Sequence, residues 1–91
     1  MDKVTLNSLN QAMMLQFSET IPVENEALSF AFNRIYTKAG EKFFVVVQKG
    51  RKFYQFNMKR DDLGKWKITD PAPEWLKPIE ENLSNVITRN I

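Results

Sequence analysis

Residues 28–69 alternate between apolar and polar side chains, and this period of two constrains the fold more than any other feature of the chain. Successive side chains of a β-strand point to opposite faces of a sheet, so such runs predict half-buried strands. The runs are separated by the three glycines of the chain, Gly40, Gly50 and Gly64. Glycine supplies the positive φ that tight hairpin turns need. The middle of the chain, residues 27–69, therefore predicts a four-stranded antiparallel β-meander.

The hairpin loops set the predicted register of these strands. Loops at residues 38–41, 49–50 and 62–64 are mutually consistent, because all three place the large apolar side chains on the same side of the sheet. This side is the predicted core face, and its members are Leu28, Phe30, Phe32, Tyr36, Phe43, Val45, Val47, Tyr54, Phe56, Met58, Trp66 and Ile68. The first and last strands, residues 28–36 and 65–69, are the predicted sheet edges.

The opposite side of the sheet, called the outer face below, has a mixed composition. It combines amides and basic side chains with apolar ones at its centre. Its predicted members are Ala31, Asn33, Ile35, Phe44, Val46, Gln48, Arg51, Phe53, Gln55, Asn57, Lys59, Lys65 and Lys67. A face of this kind predicts either a surface for contact with a partner or a second layer in which the N-terminal helix covers it.

A helix is predicted at the C-terminal end, over residues 73–90. Prolines 71 and 73 end the last strand and are tolerated in a first helical turn. The apolar residues that follow recur at helical spacing in one stripe, which we expect to pack on the core face: Trp75, Leu76, Ile79, Leu83, Val86 and Ile87. Pro78 removes one early backbone hydrogen bond, so the helix kinks or begins only there.

The N-terminal region, residues 1–26, fits two patterns. Leu6, Leu9, Met13 and Phe17 form a helical stripe with Thr5 as N-cap, whereas Met13, Leu15 and Phe17 also alternate as a strand does. We predict a helix here, followed by a loop around Pro22. The complete prediction is an α+β fold: a four-stranded antiparallel β-meander with a C-terminal helix on one face and an N-terminal helix, in one domain of residues 1–91.

Composition limits the classes of function. The 91 residues contain no cysteine and no apolar run long enough for a secretory signal or a membrane span, so we expect a cytoplasmic protein with no membrane partner. The net charge is +2, but it is unevenly distributed, since residues 31–70 carry ten Lys or Arg against four Asp or Glu. The basic charge therefore belongs to the predicted sheet.

Catalytic chemistry is not indicated by any motif. The chain has no histidine to act as a general base at neutral pH, and its serines have no local activating partner. Asp61 and Asp62 are adjacent in a predicted hairpin turn, which is the usual place for such residues. The sequence predicts a protein that is not an enzyme and that has no metal or cofactor.

Binding through the outer face is the predicted function. The leading hypothesis is contact with another protein or with a second copy of the chain, and the alternative is single-stranded nucleic acid, which basic sheet faces with aromatic side chains bind. A third possibility is that the N-terminal helix covers Phe44 and Phe53. The candidate binding residues are Phe44, Val46, Arg51, Phe53, Gln55, Asn57, Lys59, Lys65 and Lys67.

The predicted layout, a meander followed by a helix that Pro73, Glu74 and Trp75 open, resembles the strand-strand-strand-strand-helix unit of Pur-alpha-type single-strand binders. The resemblance covers roughly residues 28–90 and concerns architecture alone, because no signature run of that family aligns with this chain. It implies a sheet that binds single-stranded nucleic acid.

Overall fold

A computed structural model describes residues 15–91 and shows one antiparallel sheet with strands in chain order. The sheet curves into a half-barrel whose concave side is the core face. Its strands are β1 (Gln16–Val23), β2 (Glu26–Thr37), β3 (Gly40–Lys49), β4 (Lys52–Arg60) and β5 (Trp66–Ile68), and a 3₁₀ helix (Glu74–Ile79) and helix α1 (Glu80–Asn90) follow. The predicted α+β class with a C-terminal helix is confirmed, but the sheet has five strands rather than four.

The additional strand is β1, where the sequence predicted the end of a helix and a loop. Phe17, the last member of the predicted helical stripe, lies in β1, stacked on Phe32 with ring centroids 4.9 Å apart. The other members, Leu6, Leu9 and Met13, lie outside the described residues. The alternation of apolar side chains in β1 is interrupted by Glu19. Its side chain lies at the rim of the core side, where a carboxylate oxygen is 3.5 Å from the guanidinium group of Arg89.

Pro22 does not break β1, because it lies at an edge position. Arg34 N donates a hydrogen bond to Leu15 O at 2.8 Å, which makes Leu15 and Arg34 a hydrogen-bonded pair of the ladder. The direction of backbone hydrogen bonding alternates along a strand. Odd-numbered residues of β1 therefore bond to β2, and even-numbered residues direct their N–H and C=O groups away from the sheet. Proline at position 22 therefore removes no ladder bond. The turn to β2 uses Glu24 and Asn25, both with positive φ, as a type I′ turn requires.

Two of the three predicted hairpin registers are wrong by two residues. Val45 pairs with Phe32 and with Phe56, because the loops contain residues 38–39 and 50–51 and not residues 38–41 and 49–50 as predicted. Gly50 has a φ of +66° and is the first loop residue, the position that a type II′ turn reserves for glycine. A shift of two residues keeps every side chain on its face, so the predicted faces survive the error. The third register, in which Met58 pairs with Ile68, is confirmed.

The core lies between the sheet and the C-terminal helices. Its buried apolar side chains are Ile21, Val23, Leu28, Phe30, Phe32, Phe43, Val45, Val47, Phe56, Met58, Trp66, Leu76, Ile79, Leu83, Val86 and Ile87. Tyr54 and Ile68 are half-buried at its border. Tyr36 is an exception to the prediction: it is 47% exposed, since β2 continues past the end of β1 and carries it beyond the core.

Helix α1 begins at Glu80, two residues after Pro78, whereas the sequence predicted a helix over residues 73–90 that kinks or begins at Pro78. The preceding residues form a 3₁₀ helix instead of an α-helical turn, in which the ring of Pro78 would clash with the carbonyl of residue i−4. Trp75, predicted within the apolar stripe, is only half-buried and packs edge-on against Tyr54 at 5.3 Å. The last strand and the two helices thus close one side of the sheet.

Two side chains of α1 hold the helix against β5. The backbone N–H groups of Trp66 and Ile68 face away from β4, and they donate to Ser84 Oγ at 2.9 Å and to Glu80 Oε2 at 2.8 Å. Four residues along a helix span about 6 Å and two residues along a strand span about 6.7 Å, so the two repeats match. An edge that would otherwise expose donors is closed by the helix.

Ser84→Ala is expected to destabilise the fold by about 1–3 kcal/mol, because the buried Trp66 N–H loses its acceptor. Urea unfolding measures the change, and hydrogen exchange of the Trp66 amide should accelerate with it. Asn85→Ala, at the exposed neighbouring position of the same helix, is the control and should have little effect. Equal stability of the two variants would show that this bond does not hold the helix.

The hairpin between β4 and β5 is organised by Asp61. Its Oδ1 accepts hydrogen bonds from Leu63 N at 2.9 Å and Lys65 N at 3.0 Å, and Gly64 has a φ of +82°. The backbone bond from Lys65 is the main reason that the pKa of Asp61 lies below its ordinary value of 3.8; the Leu63 bond and the charges of Lys67 and Lys65 act in the same direction. Asp61 therefore belongs to the turn, as predicted.

Asp61→Ala should lower the melting temperature at neutral pH, because the hairpin loses an acceptor that the folded state prefers charged. A carboxylate with a lowered folded-state pKa stabilises the protein above its unfolded pKa, and this contribution is lost as the pH falls through the folded pKa. The difference from wild type should therefore shrink as the pH falls from the unfolded-state pKa through the lowered folded-state pKa. Asp62→Ala is the control, and a difference that persists at the lowest pH would contradict this role.

Candidate functional site

Charge is divided between the two sides of the sheet. The three carboxylates on described strands, Glu19, Glu26 and Glu41, all lie on the core side, where each has a cationic partner. Glu41 is the best enclosed, bonding Arg34 at 2.7 Å and Arg60 at 3.5 Å. Among the described residues, the strands therefore place no Asp or Glu on the outer face.

The outer face carries lysine as its only charged residue type on the described strands. Lys59 and Lys67 are directly opposite each other on β4 and β5. Continuing the register of β3 and β4 by one residue places Lys42 opposite Lys59 on the other side. Like charges in opposite positions destabilise a sheet, so this row of three lysines favours an anionic partner.

A groove crosses the other end of the outer face. Side chains on β2 are small there, and Phe53 on β4 is 67% exposed beside them. The groove measures about 390 Å³ and is lined by Ala27, Leu28, Ser29, Ala31, Val46, Val47, Gln48 and Phe53. Small residues make the floor and the phenylalanine ring makes a wall, so an apolar side chain from a partner fits between them.

The predicted site residues divide into three groups. Phe44, Val46, Phe53, Gln55, Asn57, Lys59 and Lys67 all lie on the outer face. Arg51 lies beside Phe53 in the turn from β3 to β4, and Lys65 lies in the loop before β5. Phe44 and Val46 are half-buried among their neighbours, which leaves Phe53 as the most exposed apolar side chain of the face.

Two of the predicted basic residues are partly neutralised by α1. Lys65 Nζ lies 3.5 Å from Glu81 and Lys67 Nζ lies 3.9 Å from Glu80. Glu80 is 28% exposed and the other three side chains are half exposed or more, so each pair is weak, but the pairs place carboxylates beside these cations. The free positive charge of the outer side is therefore reduced to Lys42, Lys59 and Arg51, none of which has an ion pair within the described part of the chain.

The side-chain amides of the outer face are mostly engaged in hydrogen bonds within the protein. Asn57 donates its side-chain N–H to Asp70 at 2.8 Å, and Asn33 donates to Phe44 O at 3.2 Å. Gln48 donates to the turn at Gly50 O, 3.2 Å away. Of the four amides predicted on the outer face, Gln55 alone has no hydrogen bond to the described residues. The face offers apolar contact and positive charge more than it offers hydrogen bonds.

Another cleft, of about 510 Å³, lies between β5 and the segment that leads to the 3₁₀ helix. Its polar groups already bond each other: Asp70 accepts from the backbone and side chain of Asn57, and Glu80 accepts from Ile68 N. Glu74 pairs with Lys77 at 3.4 Å. Asp70 and Glu80 fasten the linker and the helix to the sheet, and Glu74 pairs within the 3₁₀ helix, which explains these carboxylates without a ligand.

Within residues 15–91, no three Asp or Glu side chains converge as a metal site requires. No helix in this part of the chain is both long and apolar enough to cross a membrane.

Comparison with known proteins adds no family. No family profile, no curated protein sequence and no solved structure matches this chain.

Sequence reasoning missed three contributors to the outer face. Ala27 and Ser29 were outside the candidate set although they extend the period-two pattern of Ala31, and this run of small residues was a readable sign of a groove. Lys42 was missed because the predicted loop of residues 38–41 placed it opposite the wrong residue. Its position beside Lys59 depends on the true register.

Phe53→Ala is expected to change the free energy of unfolding by less than about 1 kcal/mol, because the ring is largely exposed. Phe56→Ala is the matched comparison on the same strand, with a ring only 1% exposed, and it should cost about 3–5 kcal/mol. Chemical denaturation measures both. A cost for Phe53→Ala close to that for Phe56→Ala would show that another part of the chain covers the outer face.

Proposed function

We propose that the protein is a non-enzymatic binding module that holds an acidic, extended segment of another protein on its outer face. The observation that carries the proposal is Phe53, whose exposed ring stands beside a groove with a floor of small side chains. Exposed rings beside grooves serve as anchors in protein interfaces, where a few aromatic contacts supply most of the binding energy. A cytoplasmic location is part of the proposal and is supported by the cysteine-free composition.

The chemistry of the partner follows from the charges around the groove. Arg51 flanks Phe53 at the turn, and Lys59 lies further along the same strand. We expect a partner segment that places an apolar side chain in the groove and carboxylates near these cations. Two outer faces of this chain would set lysine against lysine, so charge disfavours a second copy as occupant.

Selection of random dodecapeptides displayed on phage tests this proposal against the purified protein. The expected peptides combine Asp or Glu with a large apolar residue, and Phe53→Ala should weaken their binding about tenfold or more, the loss of an anchor worth over about 1.4 kcal/mol. Lys59→Glu should weaken it through charge. Leu63→Ala removes another exposed apolar side chain, 85% exposed in the loop after β4, and should leave affinity unchanged.

Peptides without acidic enrichment, or affinities that Phe53→Ala does not alter, would contradict the proposal.

Single-stranded nucleic acid is the second candidate, and the lysine row of Lys42, Lys59 and Lys67 favours it. Phe44 lies next to that row, since it pairs with Asn57 on the adjacent strand, and offers a partly exposed ring for stacking. The engagement of Lys67 by Glu80 and the occupied amides place this candidate behind the first.

An NMR titration with mixed-sequence single-stranded DNA, at low and at physiological salt, separates the two candidates. Binding through three lysines predicts a slope of about −2 for log K against log salt, with shifts clustered around Lys59 and Lys67. Lys42→Gln with Lys59→Gln should flatten that slope, and Lys77→Gln, on the 3₁₀ helix, is the control. Absence of shifts at low salt would remove this candidate.

A further inference from the structure

The two edges of the sheet are treated differently by the fold. At β5, the outward N–H groups of Trp66 and Ile68 are bonded by Ser84 and Glu80. At β1, Gln16, Ser18 and Thr20 direct their N–H and C=O groups outward, and no partner for them occurs among the described residues. Their side chains are exposed, uncharged and compatible with a strand. Edge lysines, which commonly prevent pairing, are lacking from β1.

We propose that β1 is a self-association site, where β1 of a second copy adds antiparallel to join two sheets across a two-fold axis. The occupant is a second copy because the chemistry of β1 is self-complementary. Three outward-facing residues meet the same three residues of the partner strand, with no charge among them. The proposal concerns an edge that the outer-face function does not use, so either stands without the other.

Pro22 and Glu19 select the register of the pair. Pairing centred on Ser18 sets Ser18 opposite its own copy and Gln16 opposite Thr20, with Phe17 opposite Glu19. A shift that opposes Ser18 to Thr20 would place Glu19 against Glu19 and bring Pro22, which has no N–H, into a hydrogen-bonding position. Only the first register uses all three outward-facing residues and avoids both penalties.

This contact closes on itself. A two-fold axis through Ser18 uses the β1 edge of both copies, and the β5 edges are covered by α1. The product is a dimer rather than a fibre, since no further edge is left among the described strands. The two sheets form one continuous sheet, and their outer faces lie on the same side of it.

Engineered cysteines test the register, because the chain has no cysteine of its own. Ser18→Cys should form an intermolecular disulfide under mild oxidation, since directly opposed residues of a hydrogen-bonded pair lie about 5.5 Å apart between Cα atoms. Thr20→Cys alone should not, because the two copies of position 20 are separated by about 13 Å. A mixture of Gln16→Cys and Thr20→Cys should give the heterodimeric disulfide.

Sedimentation equilibrium of the intact chain measures the association itself. Ser18→Lys places two like charges at the axis and should raise the dimer dissociation constant about tenfold or more. Leu63→Lys adds the same charge in the exposed loop between β4 and β5, at the opposite side of the sheet from β1, and should leave the constant unchanged. Circular dichroism and melting temperature verify that both variants fold.

The proposal is overturned if the wild-type chain remains monomeric at millimolar concentration, or if Ser18→Cys forms no more disulfide than Thr20→Cys. A dimer that Ser18→Lys leaves intact would also overturn it, because the contact would then lie elsewhere.

Discussion

The attachment of helix α1 to strand β5 determines how the rest of the molecule is arranged. Ser84 and Glu80 accept the outward backbone bonds of Trp66 and Ile68, and this places Leu83, Val86 and Ile87 over the concave side of the sheet. The described residues contain one helical layer, so a side of the sheet that receives it becomes the core. No described helix packs on the other side, where every second side chain of the strands forms a surface of small, apolar and lysine residues.

This division also accounts for the placement of charge. Carboxylates of the strands lie on the core side, where cations meet them, and the pairs at Glu41 and Glu19 fasten strand ends and the helix end. The strands place lysine but no carboxylate on the outer face, which costs stability where Lys59 opposes Lys67, and Glu80 of α1 offsets part of this cost 3.9 Å from Lys67. Sequence features that weaken a fold locally are often kept for binding, and here they lie on the same face as the exposed Phe53.

Much of the fold was predictable from the sequence, and the reasons for the failures are physical. The faces of β2 to β5 were assigned correctly, apart from the exposure of Tyr36, even where the register was wrong, since errors of two residues preserve alternation. Strand β1 was missed because Glu19 interrupts its apolar pattern and Pro22 suggested a loop, although proline is harmless at an outward-facing edge position. Its turn uses Glu24 and Asn25 without glycine.

The sequence predicted which residues form the candidate site, but not which of them are exposed and free of hydrogen bonds and ion pairs. Alternation alone showed that Phe44, Phe53 and Lys59 share a face. Only the tertiary structure shows that Phe44 is half-buried, that the Asn57 side chain is hydrogen-bonded to Asp70, and that Lys67 forms an ion pair with Glu80.

The most direct test of this difference between the two faces is solvent paramagnetic relaxation of the intact chain by NMR, with a soluble, uncharged gadolinium chelate. We expect strong relaxation at the Val46 methyl groups and the Phe53 ring, with the methyl groups of Val45 and Val47 protected. Protection of Val46 and Phe53 equal to that of Val45 would show that the outer face is covered, and would contradict the account.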